Sequence, residues 1–69
     1  MIVYKRKLER EDIAKLNTDE ELIYYKTEET AITIVFHGDI YVVRKKEIST
    51  NRMLGESILK TIDEVMEAI

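Results

Sequence analysis

The residues of this chain predict an α+β domain: a small, mainly antiparallel sheet of three to four strands around a central hairpin, with a C-terminal helix packed across one face. Three observations predict it. Two runs of β-branched and aromatic residues, Ala31 to Phe36 and Ile40 to Val43, flank His37-Gly38-Asp39, where Gly38 is free to take the positive φ of a tight hairpin turn. Leu22 to Tyr25 repeats that β-forming chemistry upstream. From Leu54 onward the apolar residues fall mostly three and four apart, a helical period.

In chain order, Met1 to Leu8 reads as an edge strand. Ile2 and Tyr4 point to one side and Val3 to the other, and Lys5-Arg6-Lys7 discourages pairing with other chains. Glu9 to Leu16 predicts a short helix, with acids in its first turn, Glu11 and Lys15 at i,i+4, and Ile13 and Leu16 on one side. Asn17 suits a left-handed residue at its end. Two readings compete over Leu22 to Lys26. Thr18-Asp19-Glu20-Glu21 has capping-box spacing and favours a helix, whereas Leu22-Ile23-Tyr24-Tyr25 favours a strand. The strand is adopted here, with Leu22 and Tyr24 facing one way and Ile23 and Tyr25 the other.

The hairpin can turn with His37-Gly38 or Gly38-Asp39 at its centre. Both place Ile32, Ile34, Phe36, Tyr41 and Val43 on one face and Thr33, Val35, Ile40 and Val42 on the other. Beyond it, Ser49, Thr50 and Asn51 are N-cap candidates for a helix from about Arg52 to Ile69, ~27 Å long. Its apolar stripe comprises Leu54, Ile58, Leu59, Ile62, Val65, Met66 and Ile69, with Gly55 beside the stripe, where a strand can approach closely.

At 69 residues the chain is one domain whose core alone is marginal. It has no cysteine for a disulfide and a single histidine, too few for a structural zinc site, so unusually good packing or burial of a face against another chain are the remaining supports. The longest apolar runs are four residues, shorter than a membrane span or a signal peptide demands. A cytoplasmic protein without a membrane partner is the expectation. The net charge of −3 is segregated along the chain: +3 over residues 1–10, −5 over 11–30, +2 over 31–46 and −3 from 47 onward.

No motif names a reaction, and no catalytic, cofactor-binding or metal-ligating residue is assigned. Histidine is the residue type best suited to acid–base work at neutral pH, but His37 lies in a turn with no partner the sequence can identify. The paired acids Glu20-Glu21, Glu28-Glu29 and Asp63-Glu64 read as solvated surface, and no phosphate-cradling glycine loop occurs. The leading expectation is a non-enzymatic protein-binding module, forming a homodimer or modulating a protein partner. Its interface residues are Thr33, Val35, Ile40 and Val42, rimmed by Tyr24 and Tyr25, because one helix covers only one side of a hairpin apolar on both. Second comes a nucleic-acid regulator using Lys5, Arg6, Lys7 and Arg10 with Arg44, Lys45, Lys46 and Arg52, which merge if the first strand lies beside the strand ending in Lys46. Less favoured is an acidic mimic of nucleic acid built on Glu11 to Glu29.

Overall fold

The computed structural model describes residues 2–69; Met1, where the expected first strand begins, lies outside them. The elements are β1 (Ile2–Lys5), α1 (Arg10–Ala14), β2 (Glu21–Tyr25), β3 (Thr30–Phe36), β4 (Tyr41–Glu47), β5 (Arg52–Leu59) and α2 (Ile62–Ala68). The strands form one sheet in the order of the chain. β1 runs parallel to β2, with α1 as the crossover between them, and every other pairing is antiparallel. The expected α+β architecture holds, but with five strands instead of three to four.

The central hairpin forms as its residues require. Phe36 pairs with Tyr41, and the His37 N–H donates to the Ile40 carbonyl at 2.9 Å, which puts Gly38-Asp39 at the centre of the turn. Gly38 takes φ +95°, a conformation that strains an L side chain. Leu22 to Tyr25 is a strand. Its register aligns Leu22 with Ile34 and Val43, and Tyr24 with Ile32, on one face of the sheet.

Both helices pack on that face. Ile13 and Leu16 from the α1 region and Val65 from α2 join Leu22, Ile32, Ile34, Tyr41 and Val43 in a single buried cluster. The first helix begins as expected, its Glu9 N–H donating to Asp12 Oδ2 at 2.9 Å. It ends without a left-handed Asn17; positive φ falls instead at Asp19 and Asn51.

The long C-terminal helix is the main correction. Arg52 to Leu59 is a strand, and the helix is confined to Ile62–Ala68. A helix over Arg52–Leu59 leaves the outer edge of β4 without hydrogen bonds, and Gly55 and Ser57 give that segment poor helix propensity. The residues read as N-caps build the β4–β5 turn instead: Asn51 takes φ +57°, and the Thr50 hydroxyl donates to Glu47 Oε1 at 2.9 Å. Gly55 lies in β5 with open space where a side chain would stand, so it admits no close neighbour. The true helix start was legible in Thr61-Ile62-Asp63-Glu64. The Thr61 Oγ1 accepts the Glu64 N–H at 3.2 Å and its hydroxyl donates to Glu64 Oε1 at 3.1 Å. Asp63 and Glu64 therefore occupy the first turn, where the helix dipole favours them.

Ile34 is fully buried at the centre of the cluster, whereas Met53 on β5 is half exposed. Ile34→Ala is expected to lower stability by about 2–5 kcal/mol, a large share of the ~3–10 kcal/mol typical of so short a chain. Met53→Ala should change it by no more than about 0.5 kcal/mol. Urea denaturation of both variants checks this, and equal losses would remove Ile34 from the core.

Candidate functional site

The alternation that buries one face of the sheet presents the other. Across it run three rows fixed by the strand registers: Ile2, Glu21, Val35, Val42 and Ile58; Tyr4, Ile23, Thr33, Arg44 and Glu56; then Tyr25, Ala31, Lys46 and Met53. The buried residues of both helices join only the opposite face. Small side chains line the middle of the open face, and Ala31, Thr33 and Val42 are closed over by their neighbours. Its margins are different. Tyr4 is 60% exposed at the β1 side and Ile58 is 63% exposed at the β5 side. Tyr4 stacks on Tyr25, with ring centroids 6.2 Å apart and planes 8° from parallel, so the first margin is a flat aromatic ridge. Between ridge and β4 lies a shallow trough, with Ala31 and Thr33 between Ile23 and Tyr25 on one side and Lys46 and Ile48 on the other.

Of the residues the sequence nominated for an interface, Thr33, Val35, Val42 and Tyr25 lie on this face. Ile40 sits half-buried in the turn leading into β4. Tyr24 belongs elsewhere: it has the parity of Leu22 and packs against the helix-side core, so it is not part of this rim. Ile2, Tyr4 and Ile23 join the face through the parallel pairing of β1 with β2, and Met53 and Ile58 join it through β5. The alternation within Met1 to Tyr4 was visible in the sequence. Which side it shared with the hairpin was not.

The two basic groups do not merge. β1 lies at one edge, and β2 and β3 separate it from β4 and β5. Several of these cations already face acids of the same chain: Lys5 Nζ is 3.1 Å from Asp12, Arg10 pairs with Asp63, and Arg44 Nε donates to Glu56 Oε2 at 2.6 Å. Register also divides Arg44 and Lys46, on the open face, from Lys45, on the helix side. Arg6, Lys7 and Arg52 are exposed. Of the acids, Glu28, Glu29, Asp63 and Glu64 lie on the surface.

His37 has found a partner across the turn. Its Nδ1 lies 3.0 Å from Asp19 Oδ1, and the Asp19 N–H donates to the Phe36 carbonyl. Both side chains are open to solvent, so the pair fastens the hairpin turn to the residues entering β2. Among the described residues no cluster of three or more His, Cys, Asp or Glu side chains is placed to hold a metal ion. None of the buried side-chain polar atoms described lacks a hydrogen-bond partner. No helix described is long and apolar enough to cross a membrane.

No family model, curated protein or solved structure matches this chain. Its functional reading rests on the open face and the charges around it.

The Asp12 carboxyl is displaced from its ordinary range. The Glu9 backbone N–H holds its pKa down, opposed by partial desolvation and assisted by Lys5 and Lys15. A folded-state pKa below the unfolded one stabilises the fold at pH above the ordinary value of 3.8, and that contribution disappears as pH falls through the lower folded value. Asp12→Asn should accordingly be less stable than wild type at neutral pH, with the gap closing in acid. Denaturation midpoints measured across the acid range check this; a gap independent of pH would show that the Asp12 charge contributes nothing.

Proposed function

We propose that this chain is a small non-enzymatic module that acts by binding protein, through self-association and by seating a protein partner on the open face of its sheet. One observation carries the reading: a five-stranded face with large apolar side chains exposed at both margins, while the buried residues of both helices join the other side. Large apolar side chains grouped at an exposed margin, as Ile2, Tyr4 and Tyr25 are, mark contact with another macromolecule. Stacked tyrosines supply large, stiff contact area with a polar tip, and the small residues of the trough leave room for an apolar side chain of the partner. Association also supplies stability that a 69-residue core lacks.

A nucleic-acid regulator draws less support. Its two groups of cations are separated by β2 and β3, and three of the cations are paired with acids of the chain itself. Phosphate binding needs cations that are free and converge on one track. The acidic mimic fares no better, because Glu11 to Glu29 is divided among α1, the following turns and β2.

The test uses residues that are exposed and outside the core. The immobilised chain should retain a protein from a cytosolic extract, and Tyr4→Ser, Tyr25→Ser should reduce that retention by about tenfold, the factor that ~1.4 kcal/mol of lost contact gives. Circular dichroism and the melting temperature of the variant should stay close to wild type. Equal retention by a folded variant removes the aromatic margin from the binding surface. Wild type that neither associates nor retains any protein in a face-dependent way ends the proposal.

A further inference from the structure

We propose that self-association runs through the outer edge of β5, which pairs antiparallel with β5 of a second copy about a two-fold axis at Ile58, joining two five-stranded sheets into one. This rests on the reading that the chain acts by binding protein, and it names the edge and the partner.

The two edges of the sheet are unequally protected. β1 is four residues long and runs directly into Lys5-Arg6-Lys7, the usual guard of an edge strand. β5 is the longest strand at eight residues and pairs only with β4. It exposes Met53, Leu54 and Ile58. A register irregularity opposite Lys45 and Lys46 breaks its upper end and leaves Gly55 to Leu59 as regular strand. An exposed apolar edge of this kind is a template for another strand.

The direction of its free backbone groups follows from the central hairpin. The His37–Ile40 hydrogen bond sets the phase, so Val42 and Arg44 bond to β3 while Tyr41, Val43 and Lys45 bond to β5. Their partners Leu59, Ser57 and Gly55 turn their N–H and C=O groups toward β4. Glu56 and Ile58 therefore aim theirs outward. A two-fold axis at Ile58 makes Ile58 and Ile58 of the second copy exchange both hydrogen bonds.

Charge selects that register over its neighbours. With the axis at Ile58, Glu56 stands opposite Lys60 of the second copy, the residue that follows β5, and the symmetric contact repeats it. An axis at Ser57 sets Glu56 against Ile58, and an axis at Glu56 sets Glu56 against itself. Only the first register matches opposite charges while burying the most exposed isoleucine of the chain, at 63%. The axis stands perpendicular to the sheet, so the helices of both copies share one side. Their two open faces become one continuous platform for the partner.

Two single substitutions and their mixture test the register. Lys60→Glu sets acid against acid, and Glu56→Lys sets base against base. By light scattering, each alone should weaken the wild-type dimer by about tenfold or more. An equimolar mixture should form a heterodimer, visible by native mass spectrometry with one chain isotopically labelled, because both contacts are then opposite in charge. Circular dichroism controls for folding, since Glu56 also holds Arg44. A monomeric wild type overturns the proposal, as does a dimer that both variants retain or a mixture without heterodimer. Tyr4→Ser, Tyr25→Ser, at the far edge, separates the two readings. If it alone abolishes the dimer, association runs through the open face and the edge pairing is wrong. If the dimer obeys the charge rule but no partner is retained, the edge stands and the binding role of the face fails.

Discussion

Two helices of five and seven residues meet each other over a five-stranded sheet and bury the middle of one of its faces. The row Leu22, Ile34, Val43 across β2, β3 and β4 is the floor on which they rest. Ile13 of α1 and Val65 of α2 reach the same complete burial as Leu22 and Ile34. Helices this short do not persist alone in water, because nucleation outweighs what a few internal hydrogen bonds return. Their local caps set where they start, but the sheet holds them. Any loss from the row therefore reaches both helices at once.

That arrangement leaves the chain asymmetric. Strand geometry sends every second side chain away from the helices, and in β3 and β4 those side chains include Ala31, Thr33, Val35 and Val42. The middle of the second face protects itself by using small residues that their neighbours close over. Large apolar side chains remain only where strands end or sheets have margins, at Ile2, Tyr4 and Tyr25 on one side and Met53 and Ile58 on the other. A face smooth in its middle and apolar at its rims suits contact with another protein surface.

Charge is arranged by the same topology. The chain alternates basic and acidic segments, yet folding places one against the next: Lys5 with Asp12 ties β1 to α1, Arg10 with Asp63 ties α1 to α2, and Arg44 with Glu56 ties β4 to β5. Exposed pairs of this sort contribute roughly 0–1 kcal/mol each. Their larger effect is to tie Lys5, Arg10 and Arg44, three cations of the two basic groups, each to an acid of the same chain.

The sequence by itself determined the hairpin, its turn glycine, the division of its strand residues between two faces and the short first helix, while at Leu22 to Lys26 it left strand and helix in competition. Each of these is local: a period of two, a φ only glycine takes easily, a cap three residues from its partner. It did not determine the fate of Arg52 to Leu59. Leu54, Ile58, Leu59 and Ile62 satisfy helical spacing, yet β4 presented a row of unpaired backbone groups, and pairing with them outweighed periodicity. The parallel placement of β1, and with it the side on which Tyr4 and Ile2 stand, was likewise decided in three dimensions. Tyr24 and Tyr25 are neighbours of identical chemistry, and only the position of the helices sends one into the core and the other to the open face. A strand's alternation is written in its residues; which of its two sides is covered depends on elements far along the chain.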